Sequence, residues 1–194
     1  MGRIKSAYEK AMERYQQRKA VSEEDIRKME YLLTGKTLAA KYLNNKDLDL
    51  LAAIDQYQNK TREYIVEGAM ETFISNIRLP ADKTTFKTNQ QAMNGIGLLK
   101  TDKETYGEMV GQLEQLLHYY ESATKQAFAQ FKERFSVQMA ESMKSLEEKV
   151  GVKLKIDPEK QPGFWEEWSK VIGSINTQYD QVLKKQKEKL QDIK

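Results

Sequence analysis

The chain contains no cysteine, which excludes disulfides, thiolate nucleophiles and zinc fingers. It contains one histidine, His118, whereas a di-iron bundle of the ferritin type needs two Glu-x-x-His elements. Glu114 and Glu121 lie on turns next to His118, but Glu114 stands four residues before it rather than three. His118 is therefore read as a surface or boundary residue, and no metal is expected. The longest apolar run is residues 50–54, far short of the roughly 20 residues a membrane helix needs, so no membrane partner is expected. The charged start, Met1-Gly2-Arg3-Ile4-Lys5, does not read as a signal peptide, and the expected location is the cytoplasm. A dominant charge is also missing. The 32 basic residues nearly balance 29 acidic ones, and a net charge of +3 decides little about partners. There is no Gly-x-Gly-x-x-Gly, phosphate loop or nucleophile elbow, and Gly95-Ile96-Gly97 is too short to cradle a phosphate. No spacing singles out a catalytic residue, so the expected class is non-enzymatic, without a cofactor.

Only 3 prolines and 10 glycines interrupt 194 residues, which favours helix. The strongest pattern lies between Thr101 and Val150. Apolar residues at Leu113, Leu117, Tyr120, Phe128, Phe131, Phe135, Met139, Leu146 and Val150, with Thr124 and Ser142 in the gaps, step 4, 3, 4, 4 in an 11-residue repeat. That period gives a straight or slightly right-handed stripe, unlike a heptad seam. A helix of this length spans roughly 70 Å, against a diameter of about 40 Å for a compact globule of this chain length. A Thr101/Glu104 capping box is expected to start it and Gly151 to stop it.

Ahead of this rod the signals are shorter. Ser6 and Glu9 form a capping box for a first helix with an apolar face of Ile4, Ala7, Tyr8, Ala11, Met12 and Tyr15. Ser22 with Asp25 opens a second, which carries Gly35 inside it and ends at Asn44-Asn45. A third runs from near Asp47 to Pro80, with a polar patch from Asp55 to Arg62 as a candidate break. Residues 82–100 suggest helix through Phe86, Met93, Ile96 and Leu99, with Gly95 and Gly97 as a candidate bend.

Beyond the rod, Val150, Val152, Leu154 and Ile156 alternate with polar residues or glycine, a strand-like period. An extended connector is the more economical reading, with an intermolecular strand as the alternative. Asp157-Pro158 and Gln161-Pro162-Gly163 then turn the chain into a last helix. Its seam is Trp168, Ile172, Ile175, Tyr179, Val182, Gln186 and Leu190.

Two surfaces are candidates for binding. Phe164, Trp165 and Trp168 form an apolar cluster that either plugs one end of the bundle or anchors a partner. Arg14 and Arg18 near the start, with Lys184, Lys185 and Lys187 near the end, form a basic patch if the termini meet. The simpler reading of those charges is a solvated helix face.

The opening Ile4-Lys5-Ser6-Ala7, followed by Glu9, Ala11 and Glu13, resembles the start of a family of short, uncharacterised bacterial proteins. Asp157-Pro158 after an alternating stretch, then a Phe/Trp-rich helix, carries the same likeness. The resemblance implies a bacterial cytoplasmic source and brings no known activity, cofactor or catalytic residue.

The expected architecture is all-α: an elongated bundle of two long antiparallel, coiled-coil-like helices with a smaller N-terminal helical cluster. Residues 1–194 form one helical domain, divided into a short-helix cluster (1–100), a long helix (101–151), an extended connector (152–163) and a C-terminal helix (164–190). The expected function is a helical interaction or scaffold protein that binds a protein partner or itself, as a homo-oligomer such as a dimer. The alternatives are a nucleic-acid-associated protein using the basic termini, and a chaperone or adaptor for a secreted or filament-forming protein.

Overall fold

The computed structural model describes residues 22–45, 48–150 and 157–193, with the side chains of 141–150 excluded. Six α-helices occur among the described residues and no strand: α1 (Glu23–Asn44), α2 (Leu50–Ile54), α3 (Asn59–Asn76), α4 (Lys83–Leu99), α5 (Lys103–Val150) and α6 (Phe164–Asp192). A 3-10 turn, Pro158–Lys160, precedes α6. The protein is an all-α helical bundle. The helix expected over residues 4–19 and the alternating stretch of 151–156 lie outside the described residues.

Each helix start has a local cause. The Ser22 hydroxyl accepts from the Asp25 N–H and caps α1, as the sequence suggests. Asp49 caps α2 in the same way through the Ala52 N–H, and Asp82 caps α4 through the Thr85 N–H. At α5 the side chain that accepts is Asp102, from the Thr105 N–H at 3.1 Å, rather than Thr101. A carboxylate one residue closer to Lys103 reaches that orphan donor directly. The patch between Asp55 and Arg62 does break the third stretch in two, into α2 and α3. Gly95 and Gly97 lie inside a continuous α4 and mark no bend.

Helices α1 and α3 run parallel. Glu24 meets Lys60 at 3.5 Å, Lys28 meets Glu67 at 3.5 Å and Lys36 meets Glu71 at 2.8 Å, so partners rise together along both helices. These exposed pairs contribute little energy and serve mainly to show the register. A parallel pair needs the chain to return along the whole of α1, about 33 Å. Residues 45–58, with α2 among them, make that return. The axes approach closely at Gly35 and Gly68. A methyl on Gly35 would lie 2.8 Å from the Ile65 carbonyl carbon, and one on Gly68 would lie 2.9 Å from that of Leu32. Glycine is required at both places because backbone fills the space.

From α3 the chain reverses at 77–82 and α4 packs antiparallel to it. Phe73, fully buried, lies against Gly95. At the reversal, Asn89 of α4 is buried and grips the backbone of Arg78 from both sides. Its Oδ1 accepts from the Arg78 N–H at 2.9 Å and its Nδ2 donates to the Arg78 carbonyl at 2.6 Å. This substitutes for the partners an irregular buried backbone lacks. Helix α5 then turns back along α4, where the Tyr106 hydroxyl donates to the Met93 carbonyl and burial pushes the phenol pKa up.

Helices α5 and α6 lie antiparallel: Tyr120 donates to Asn176 Oδ1 at 2.7 Å, Leu113 and Leu183 share the core, and Phe131 and Phe135 meet Phe164. The stripe read from the sequence holds from Leu113 to Met139, and none of its members there is exposed. The rest of the series falls among the undescribed side chains. On α6 the seam departs at one position. Leu183 is buried and Val182 is 43% exposed, because Leu183 joins the core beside the reversal at 77–81 and Tyr120 of α5. Where α6 ends, the buried Lys100 ammonium donates to the carbonyls of Gln191 (3.0 Å) and Ile193. A cation is favoured there by the helix dipole. Burial lowers the Lys100 pKa and Asp192 opposes that shift.

Candidate functional site

The start of α6 is built by its turn. Asp157 caps the 3-10 turn through the Glu159 N–H, Pro158 fixes its first residue, and Gly163 takes φ +85°, a left-handed conformation that favours glycine. The chain thereby delivers Phe164 into α5. Its ring is fully buried and lies 5.0 Å from Phe131, 5.1 Å from Phe135 and 6.1 Å from Phe128. Trp168, half-buried, stands 5.0 Å from Phe128 and 5.7 Å from Phe131. Lys132 pairs with Glu159 of the turn, and the hydrogen bond its ammonium donates to that carboxylate raises the lysine pKa.

Trp165 differs from its neighbours. It is 55% exposed, its Nε1 donates to the Glu159 carbonyl at 2.9 Å, and its ring stacks at 6.2 Å on Phe128. The three residues grouped by sequence therefore separate. Phe164 is a plug, Trp168 supports it, and Trp165 presents an anchored aromatic face to solvent.

A cavity of about 650 Å³ lies between α5 and α6, with Phe131, Phe135, Val137 and Val171 as its apolar lining and Glu133, Arg134, Glu167 and Lys170 around it; Trp165 is not part of that lining. Val137 is 55% exposed. Helix α6 begins opposite Phe131 and Phe135, whereas α5 continues to Val150. Residues 136–150 thus run about 22 Å past the start of α6.

The candidate basic patch falls only in part among the described residues. Lys184 and Lys185 are exposed on α6, Lys187 is half-buried, and Arg14 and Arg18 lie outside the described residues. Lys187 faces a cavity of about 340 Å³ where residues 77–81 meet α5 and α6, and Arg78 lines the same cavity. Burial lowers the Lys187 pKa, Arg78 lowers it further, and Asp180 opposes them. A separate cleft of about 560 Å³ between the start of α4 and α5 holds His118, which is exposed and 5.3 Å from the Phe86 ring. Among the described residues no helix is long and apolar enough to cross a membrane.

Arg78 and Asn89 were missed in the sequence. Asn89 occupies the helical step between Phe86 and Met93, a polar residue in an apolar stripe, and that is the signal that could have marked it. Arg78 carries no such signal.

No curated protein and no solved structure matches the chain. One family matches, over residues 51–192, which takes in every helix from α3 onward and leaves α1 outside. With more than half of its length matched, the chain belongs to a family of unknown function (DUF6657).

Proposed function

We propose that this protein is a non-enzymatic helical interaction protein, acting in the cytoplasm, that self-associates through the far end of α5 and the aromatic start of α6. The observation that carries the reading is the extension of α5 past the start of α6, with Val137 exposed at a cavity of about 650 Å³ and Trp165 exposed at the first turn of α6. An apolar face that continues along a helix past its partner helix is normally covered in a soluble protein. A second copy placed about a two-fold axis covers it with the same residues, which is the usual form of a homodimer. The rim suits this arrangement, because Glu133 and Glu167 balance Arg134 and Lys170 and each set can face the other across the axis.

Light scattering coupled to gel filtration tests the proposal. The wild-type chain is expected to pass from monomer to dimer with rising concentration. Val137→Asp should remain monomeric with an unchanged far-ultraviolet spectrum, since Val137 is exposed in the monomer. A wild-type chain that stays monomeric up to its solubility limit would defeat the proposal.

A further inference from the structure

Three elements meet at the cavity of about 340 Å³: the reversal at 77–81, α5 at Tyr120, and α6 at Asn176, Asp180, Leu183 and Lys187. Its polar groups are unbalanced. Arg78 and Lys187 supply two cations, and Asp180 is the single carboxylate. Among the described residues neither cation has a carboxylate within ion-pair distance, and the Arg78 side chain makes one long hydrogen bond, 3.5 Å to the Ser75 carbonyl. The Tyr120 hydroxyl donates to Asn176 Oδ1, which turns the amide nitrogen of Asn176 into a donor with no acceptor among the described residues. Guanidinium, ammonium and amide N–H together make a surplus of donors around one small space.

Lys187 is half-buried beside the exposed Arg78, and a like charge next to a half-buried ammonium costs stability. An exposed position was open to Lys187 elsewhere on α6, as Lys184 and Lys185 illustrate. An anion would remove the repulsion and accept all three sets of donors. Arginine suits an oxyanion in particular, because its planar fork matches two oxygens at once. A volume of about 340 Å³ lies at the small end of ligand sites and accommodates a phosphate group with little else attached.

We propose that this cavity is a binding site for a small phosphate-type oxyanion, held by the Arg78 guanidinium, the Lys187 ammonium and the Asn176 side-chain amide. The site is independent of the self-association surface, since Phe164 and Val137 lie toward the other end of α6.

Inorganic phosphate is the probe, titrated against chloride at matched ionic strength and followed by the nuclear magnetic resonance signals of the Asn176 side-chain amide and the Lys187 side chain. A saturable shift is expected with phosphate and none with chloride. Arg78→Gln and Lys187→Met should each weaken binding about tenfold or more, as loss of a charge-assisted contact does. Lys184→Gln, on the exposed face of the same helix, should leave it unchanged. In phosphate-free buffer Lys187→Met should be at least as resistant to urea as wild type, because methionine keeps the stem and removes the repulsion. A linear, unsaturated response would overturn the proposal. So would an equal loss in Lys184→Gln, which would indicate general charge attraction.

Discussion

The closest backbone contact in the bundle offers its sharpest test. Replacing Gly35 by alanine puts a methyl 2.8 Å from the Ile65 carbonyl carbon and 3.0 Å from the Ala69 nitrogen. Ordinary contact starts near 3.4 Å, so the shortfall is 0.6 Å at that carbon, and it is larger at the carbonyl oxygen. The obstacle is backbone of α3, which cannot rotate aside as a side chain can. Helix α1 must therefore move away from α3 along its length, loosening the pair that buries Ala39, Ile65 and Ala69. Overpacking of this kind costs about 1–3 kcal/mol, while alanine returns about 1 kcal/mol of helix propensity. Because the clash is with rigid backbone on both sides of the contact, we expect a net loss of about 2 kcal/mol, or about 4–8 °C in Tm for a domain of this size. Gly68→Ala meets Leu32 in the same manner and should cost a similar amount. The double variant should lose less than the sum, since helices already parted for one methyl admit the second. Gly111→Ala serves as the control, with nothing within 4 Å of its added methyl, and should gain up to about 1 kcal/mol. Urea unfolding followed by circular dichroism at 222 nm reads all four. If Gly35→Ala were as stable as Gly111→Ala, the close parallel contact of α1 and α3 would be refuted.

Two further outcomes follow from the polar contacts. Asn89→Leu removes both bonds to the Arg78 backbone and leaves a buried N–H and carbonyl unmet, so urea unfolding should show a loss of about 3 kcal/mol; a loss below about 1 kcal/mol would mean that solvent reaches Arg78. The capping carboxylates give an acid dependence. The Thr85 N–H and hydroxyl hold Asp82 below its ordinary value of 3.8, and the Thr105 hydroxyl and N–H do the same for Asp102. A depressed pKa gives stability that is complete above 3.8 and lost as pH falls through the lower, folded value. The urea midpoint of the wild type should therefore drop between pH 4 and 2, and that of the Asp82→Ala/Asp102→Ala variant should start lower and drop less.

What was legible in the sequence was what local physics decides. The 11-residue stripe placed α5 and its buried face from Leu113 to Met139, because period alone determines which side of a helix is apolar. Ser22, Asn44 and Pro80 bounded helices through capping and proline geometry. Apart from the cap of α5, which Asp102 supplies in place of Thr101, the errors arose where a distant element altered a local preference. Gly35, Gly95 and Gly97 read as weak points, yet each sits in a helix where a methyl would strike α3, Phe73 or Tyr106. Val182 was placed on the seam by its heptad spacing, but α6 meets the reversal at 77–81 as well as α5 there, and Leu183 is the residue buried. At the aromatic end, composition identified Phe164, Trp165 and Trp168 as a group, and only the turn at Gly163 decides which of them faces outward.

The register of α6 on α5 is set at its two ends by different forces. At the start, Phe164 fills a space bounded by three phenylalanines of α5. At the finish, Lys100 collects the carbonyls of Gln191 and Ile193. Between them Tyr120 donates to Asn176, while Thr124 Oγ1 and Gln186 Oε1 are buried without a hydrogen-bond partner among the described residues. A slip of one helical turn, about 5.4 Å, would expose Phe164 and strip Lys100 of its acceptors together. Neither loss can compensate the other, because one concerns apolar area and the other a buried cation. The length of α5 that runs past the start of α6 is therefore fixed by the same two anchors that hold α6. The position of Val137 and Trp165 on the surface is a consequence of that register, and any partner that recognises them reads it.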